Sequence, residues 1–143
     1  MTEHLQRATA QLQSGAKGLV VSVRYLVRDV DQAIAFYARL GFEMRRQFGA
    51  AMAIMGRDAL TLWLAGPGAS AAKPMPDGRL PEPGGWNRFV LQVSDLPALV
   101  QTLRAQGVAF RNDIVEGPGG RQILCEDPSG NVVELFEPGR ATA

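Results

Sequence analysis

The sequence repeats itself once, and this repeat limits the folds that the chain can adopt. A shift of 66 residues brings six positions together without a gap: Val27 with Val93, Asp29 with Asp95, Ile34 with Val100, Tyr37 with Leu103, Gly41 with Gly107, and Phe42 with Val108. In each copy an alternating apolar segment predicts a strand, an aspartate can cap a helix, and a glycine ends that helix. Either Asp29 or Asp31 could provide the first cap. A second match, at an offset of 72, pairs Leu62 with Glu134 and aligns the segments that follow each helix. Each half is therefore predicted to run strand, helix and three strands.

The repeat also predicts how the chain is organised. Residues 1–18 are polar and small and predict a flexible N-terminal arm, and residues 139–143 form a short tail. Between them, residues 19–138 form a single domain, with one unit at 19–67, a connector at 68–86 and a second unit at 87–138. Five of the nine prolines lie in or beside the connector, which predicts irregular structure. A loop of that length serves either as a functional cover or as a plain linker, and the sequence leaves both open.

Composition excludes several classes of function. The net charge of +1 is too small to attract a nucleic-acid backbone or an anionic membrane surface. No apolar run approaches the roughly 18 to 20 residues that span a bilayer, and no secretory signal is recognisable. The single cysteine, Cys125, cannot form an internal disulfide. The sequence therefore predicts a soluble cytoplasmic domain with no nucleic-acid or membrane partner.

Two local phrases, together with the duplication, resemble a known superfamily. The first is VRDVD at 27–31, followed by AFY at 35–37 and LGF at 40–42; the second is DPSGNVVEL at 127–135. The chain resembles the vicinal oxygen chelate superfamily, which includes glyoxalase I, extradiol dioxygenases, fosfomycin-resistance enzymes and bleomycin-resistance proteins. The resemblance covers residues 19–138. It implies an α+β fold in which tandem βαβββ units form a curved mixed β-sheet cup with the helices on the outside.

The resemblance also implies where a metal ion would be held. In the metal-using members, four cup-facing His, Glu or Gln side chains hold a divalent ion, and the matching positions here are Ser22, Leu62, Arg88 and Glu134. Glu134 is the one ligand of the expected kind, because leucine cannot coordinate, arginine repels a cation and serine is a poor donor. The single histidine, His4, lies in the N-terminal arm. We therefore predict no metal and no other cofactor, with a divalent metal ion as the alternative.

Side-chain alternation predicts which residues line the cup. It places Ser22 and Arg24 on the cup side of the first strand, Arg88 and Gln92 on the matching strand, and a row of leucines in the other half. Trp63 falls on the opposite side and is predicted to be core, whereas Trp86 is predicted either as part of a lid or as a surface anchor. An apolar floor with few polar groups is typical of a small-molecule pocket. The candidate ligand-binding residues are Ser22, Arg24, Leu62, Trp86, Arg88, Gln92, Glu134 and Phe136.

Arg88 and Glu134 are predicted to face each other within one half of the cup. Because a lone buried charge is costly and a paired one is tolerated, they could form an internal salt bridge that replaces the metal. Alternatively, the pair could orient a ligand, with Arg88 donating to a carboxylate or phenolate and Glu134 accepting from a hydroxyl or amine. Arg24 is open to two interpretations as well, since its head could simply reach water.

These observations predict a metal-independent small-molecule-binding protein of the glyoxalase/bleomycin resistance type, holding an apolar or an anionic or phenolic ligand. The bleomycin-resistance proteins are the non-catalytic precedent in the family. Homodimerisation is expected because exposed apolar faces and sheet edges favour a partner. The alternative is a glyoxalase/dioxygenase-type enzyme, a lyase, isomerase or dioxygenase, with Glu134 either in an atypical metal site or as a metal-free catalytic base. A third possibility is an interaction module with a closed cup.

Overall fold

The computed structural model describes residues 21–139 and contains two units built on the same plan. The predicted arm and the last four residues of the tail lie outside the described residues. The elements of the first unit are β1 (Ser22–Leu26), α1 (Val30–Arg39), β2 (Glu43–Phe48), β3 (Met52–Arg57) and β4 (Leu60–Ala65). Those of the second are β5 (Val90–Gln92), α2 (Leu96–Ala105), β6 (Ala109–Phe110), β7 (Val115–Gly117), β8 (Gly120–Glu126) and β9 (Val132–Pro138).

Each unit forms one mixed sheet. The strand order is β1-β4-β3-β2 in the first sheet and β5-β9-β8-β6 in the second, where β7 also pairs with β8. The pairs β1–β4 and β5–β9 are parallel, and the other pairs are antiparallel. The predicted α+β fold with curved mixed sheets is confirmed. One detail differs, since the second unit has two short strands, β6 and β7, where the sequence predicted one.

The helices begin and end where the sequence predicts. Of the two candidate caps for α1, Asp29 is the one used, and its Oδ1 accepts from the backbone N–H of Gln32 at 3.0 Å. Asp95 caps α2 in the same way by accepting from Ala98 N–H at 3.2 Å. After α1 the chain turns at Gly41, whose φ of +88° favours glycine. Neither helix, nor any other in residues 21–139, is long and apolar enough to cross a bilayer.

An aromatic cluster joins the two units into one core. The ring of Phe89, just before β5, lies 5.2 Å from Tyr25 of β1 and 5.8 Å from Phe42 between centroids. Tyr37 of α1 completes the cluster, 5.6 Å from Phe42. Edge-to-face and tilted pairs of this kind add to the stabilisation that burial already provides. The two units therefore share a continuous hydrophobic core.

A buried polar network ties the turn between β8 and β9 to the first unit. Asp127 is only 4% exposed. Its Oδ2 accepts from the Tyr37 hydroxyl at 2.8 Å, and its Oδ1 accepts from the backbone N–H groups of Ser129 and Asn131 at 2.9 Å. The Asn131 side chain donates to the Leu26 carbonyl at 2.7 Å. The phrase that carried the family resemblance thus forms a clamp between the units.

The connector is anchored to the second unit. It contains a single 3-10 turn (Ser70–Ala72) and otherwise lacks regular structure, as its prolines predict. Its Gly84 N–H donates to Asn131 Oδ1 at 2.8 Å. A cavity of about 210 Å³ separates part of it, including Leu80, from Leu26 and Ala65 at the end of the first sheet.

We expect the fold to lose stability in alkali because three buried groups resist deprotonation. Burial raises the pKa of Tyr25 from 10 to about 12 and that of Cys125 from 9 to about 12, and it also raises the pKa of Tyr37. Their protons contribute fully to stability below pH 9. Above pH 9 for Cys125, and above pH 10 for the two tyrosines, the unfolded chain releases a proton that the folded chain keeps, so the free energy of unfolding falls by up to about 1.4 kcal/mol per pH unit for each group.

Urea denaturation between pH 8 and pH 11 measures this loss. The variant Tyr25→Phe is the internal control, because it lacks one of the three protons and its stability should fall less steeply above pH 10. A free energy of unfolding that stays level up to pH 11 would contradict the prediction.

Candidate functional site

The face of each sheet that points away from its helix is the candidate site. In the first sheet Tyr25, Ala53, Met55, Leu62 and Leu64 form the buried face that joins the core. The residues between them in each strand point to the other side, which we call the first open face. Pairing sets this face in three rows: Ser22–Thr61–Gly56–Glu43, Arg24–Trp63–Ile54–Arg46, and Leu26–Ala65–Met52–Phe48.

The register corrects two sequence-based placements. Leu62 was predicted on the cup side, but it pairs with Val23, is 0% exposed and belongs to the core, as does Leu64. Trp63 was predicted in the core, but it pairs with Arg24 and lies on the first open face. Arg24 is equivalent to Val90 at the offset of 66 residues, and these two residues pair with Trp63 and Glu134, respectively. Trp63 is therefore the equivalent of Glu134, at an offset of 71 residues rather than 72.

The sequence-based alignment is one residue out at β4, which follows a turn whose length differs between the two units. Between the equivalent pairs Gly56–Thr61 and Glu126–Val132 the first unit has four residues and the second has five. Because side chains alternate along a strand, a slip of one residue moves each of them to the other face. Leu62, a candidate ligand-binding residue by sequence, therefore faces away from Ser22 and Arg24.

The second open face carries the predicted salt bridge. Val90 and Gln92 of β5 pair with Glu134 and Phe136 of β9, respectively. The candidate residues Gln92, Glu134 and Phe136 therefore share one face with Val90. Arg88 Nε and Nη2 each lie 3.0 Å from Glu134 Oε1. Residue Glu134 is 8% exposed, and the Arg88 side chain is 28% exposed. The predicted contact is confirmed, and the carboxylate is already matched by a fixed positive charge.

Trp86 lies at the end of the connector and is held by a neighbouring arginine. The guanidinium of Arg111 lies 4.5 Å from the centre of its ring, and Arg88 Nη1 donates to its backbone carbonyl at 3.3 Å. The residue is 67% exposed. Of the two predicted roles, this placement favours a surface anchor.

Three arginines lie on the first open face, and two of them were not singled out in the sequence. The guanidinium of Arg24 is 5.0 Å from the Trp63 ring centre, and that of Arg46 is 4.6 Å from the Phe48 ring centre. Arg45 is the extra residue of a β-bulge in β2. It lies directly over Gly56, where a Cβ atom would collide with its guanidinium. Bulges commonly redirect a side chain in this way.

Ser22 reaches the first open face in an unusual state. Its hydroxyl is buried and has no hydrogen-bond partner within residues 21–139. Buried hydroxyls are normally satisfied, so this one is an exception in the described part of the chain. Alternation located Ser22 correctly, but sequence alone could not show that its oxygen lacks a partner.

A further cavity of about 650 Å³ lies where α1 meets the β8–β9 turn. The charged groups that line it include Arg28, Arg39, Glu126 and Asp127. Three of these already bond within the protein, Arg28 to Ser129, Glu126 to Arg111 and Asp127 to Tyr37. Most of the charged groups that line this cavity therefore already have partners within the protein.

The sequence matches the model of the Glyoxalase/Bleomycin resistance protein/Dioxygenase superfamily over residues 19–135. The chain belongs to this superfamily. A search of the curated proteins finds no match to this member of the superfamily.

Solved structures of the superfamily share the fold. Lactoylglutathione lyase from Agrobacterium tumefaciens is 20% identical with a TM-score of 0.63, covering 85% of this chain and 95% of its own. The fosfomycin resistance protein FosX from Listeria monocytogenes is 14% identical with a TM-score of 0.64, covering 87% and 96%. TnmS3, an antibiotic binding protein from a Streptomyces species, is 25% identical with a TM-score of 0.59, covering 85% and 98%. The first two likenesses show the fold alone.

The superfamily's usual metal ion does not fit the residues at its four positions. With the corrected register these are Ser22, Trp63, Arg88 and Glu134. Tryptophan offers no oxygen or imidazole donor, and the Arg88 guanidinium stands beside the one carboxylate, where it opposes a second cation. A catalytic metal is normally held by three protein ligands. Within residues 21–139 no group of three or more His, Cys, Asp or Glu side chains is placed to supply them.

Proposed function

We propose that this superfamily member is a metal-independent small-molecule-binding protein that holds an apolar or an anionic or phenolic ligand on its open faces. The observation that carries the proposal is the Arg88–Glu134 pair. Its guanidinium lies 3.0 Å from the carboxylate oxygen that a metal would need. The neighbouring positions, Ser22 and Trp63, suit contact with an organic molecule better than coordination.

Binding of a small organic molecule has a precedent among similar structures. TnmS3, at 25% identity over nearly its whole length, is described as an antibiotic binding protein. The first open face offers aromatic and aliphatic surface, Trp63 and Ile54, beside a few polar groups. That combination orients a small organic ligand while burying most of its apolar surface.

Two measurements on the purified chain test the proposal. Titration with Ni²⁺, Mn²⁺, Fe²⁺ and Zn²⁺ should show no tight stoichiometric binding, and a thermal-shift screen of aromatic acids, quinones and antibiotics in EDTA should find a compound that raises the melting temperature. Stoichiometric metal binding that disappears in Glu134→Gln would overturn the proposal. Turnover of a screened compound that is lost in Glu134→Gln would instead indicate the metal-free enzyme.

We also propose that the protein works as a homodimer in the cytoplasm. Val90 on the second open face and Phe48 on the first are exposed apolar residues, and β2 is an exposed edge strand. Such surfaces favour a partner that covers them. Light scattering coupled to size-exclusion chromatography gives the oligomeric state directly, and a monomer at micromolar concentration would overturn this part.

A further inference from the structure

The two open faces differ in charge. On the second, each carboxylate is matched, Glu134 by Arg88 at 3.0 Å and Glu126 by Arg111 at 3.4 Å. On the first, Arg24, Arg45 and Arg46 stand against Glu43, the one acidic residue in β1 to β4. Three positive charges against one negative charge leave this face at +2, whereas the whole chain carries only +1.

None of these three arginines forms an ion pair with a described acidic residue, yet two of them are held by other contacts. Arg24 stacks on Trp63 and Arg46 stacks on Phe48. Arg45 lies across Gly56, the one position in its row where the missing Cβ leaves room for it. Stacking on a ring leaves the N–H groups at the guanidinium edge free to donate to an anion.

Between these charges lies a floor suited to a flat ring. Arg24 and Arg46 end a row whose middle members are Trp63 and Ile54, and strand spacing separates the two arginine backbones by about 14 Å. In the neighbouring rows Ala65 and Met52 are apolar, and the space over Gly56 is filled by the Arg45 guanidinium. The floor is therefore apolar and bordered on both sides by cations.

We infer that the first open face binds a planar aromatic anion, with its rings on Ile54 and beside the part of Trp63 that Arg24 leaves uncovered, and with its carboxylate or phenolate bonded by guanidinium groups of Arg24, Arg45 and Arg46. This rests on the proposed function and adds where the anion binds. The charge is recognised in the first unit, whereas Arg88 of the second unit stays committed to Glu134. A cationic or neutral ligand does not use this face, because the net charge repels the one and gains nothing from the other.

A matched pair of probes tests the inference. The probes are 2-naphthoate and its neutral analogue 2-naphthamide, which share the same rings. The protein carries Trp86→Phe, so that Trp63 is the single tryptophan, and its fluorescence reports a ring placed on the first open face. All titrations contain EDTA, which removes metal coordination as a route for binding the carboxylate.

We expect naphthoate to quench Trp63 and to bind at least about tenfold more tightly than the amide, because a charge-assisted hydrogen bond adds on the order of 1.4 kcal/mol. Arg24→Gln and Arg46→Gln should each weaken naphthoate binding by about fivefold or more and leave the amide unchanged. Arg39→Gln on α1 removes the same charge away from this face and is the control. Added salt should weaken the binding of naphthoate and leave the binding of naphthamide unchanged.

Several results would overturn the inference, and they differ from those that overturn the proposed function. This face does not recognise the anion if the acid and the amide bind with equal affinity. The same conclusion follows if neither arginine substitution changes the affinity for naphthoate. Absence of naphthoate binding, together with a thermal shift from a neutral compound, overturns the inference and leaves the proposed function standing. Naphthoate binding that needs added Ni²⁺ and vanishes in Glu134→Gln overturns both. The melting temperature of each variant verifies that it is folded.

Discussion

Replacing Asp127 with alanine should lower the free energy of unfolding by about 3 to 5 kcal/mol. The carboxyl group accepts from the Tyr37 hydroxyl and from two backbone N–H groups, at 2.8 to 2.9 Å, in a site that is 4% exposed. Alanine leaves all of these buried donors without an acceptor. Each unsatisfied donor costs on the order of 1 to 3 kcal/mol, and incomplete relaxation of the turn makes the losses less than additive.

Urea denaturation followed by tryptophan fluorescence measures the effect of Asp127→Ala. Tyr37→Phe provides a graded comparison, because it removes one donor and leaves the turn intact, and it should cost about 1 to 2 kcal/mol. Asp113→Ala is the matched control, since that aspartate is fully exposed and lies in a loop. A loss below about 1 kcal/mol for Asp127→Ala would show that the clamp contributes little to stability.

Replacing Arg88 with methionine should destabilise the fold by about 2 to 4 kcal/mol, because it leaves the Glu134 carboxylate buried without its cation. The expected cost lies toward the lower end of the range for buried pairs, since the Arg88 side chain is 28% exposed and water screens it in part. The double variant Arg88→Met, Glu134→Leu should recover most of the loss, because apolar replacement of both partners removes the unpaired charge.

The double-mutant cycle isolates the interaction between Arg88 and Glu134. Arg79 and Asp77 form a matched exposed pair in the connector, with a separation of 2.7 Å. Removing Arg79 should cost less than about 1 kcal/mol, because exposed pairs contribute little. If Arg88→Met costs no more than Arg79→Met, the pair on the second open face is not a buried structural contact, and its role in replacing a metal loses its physical basis.

Local patterns were enough to predict the repeated architecture. Alternation predicted β1, the spacing of apolar residues predicted both helices, and Asp29, Asp95 and Gly41 mark their ends as expected. Each of these signals depends on residues close together in the sequence, and short-range propensity and capping decide them. The contact between Arg88 and Glu134 was also predictable, because it follows from parity within one unit.

Register and long-range contacts could not be predicted in the same way. The sequence-based alignment of the two units was one residue out at β4, so it placed Leu62 on the cup side and Trp63 in the core, the reverse of the pairing in the structure. The bulge at Arg45 depends on how β2 pairs with β3, and no local sequence pattern predicts it. The clamp around Asp127 joins residues that are 90 positions apart. The aspartate was visible in the sequence only as part of a turn.

That clamp has a consequence for how the chain is synthesised. The hydroxyls of Tyr25 and Tyr37 find their acceptors at Val132 and Asp127, 107 and 90 residues further along the chain. When the first unit leaves the ribosome, both acceptors have yet to be translated, and loop closure over such a separation is slow compared with local helix formation. The first unit therefore keeps two polar groups and an aromatic face uncovered until residues 127 to 132 have emerged.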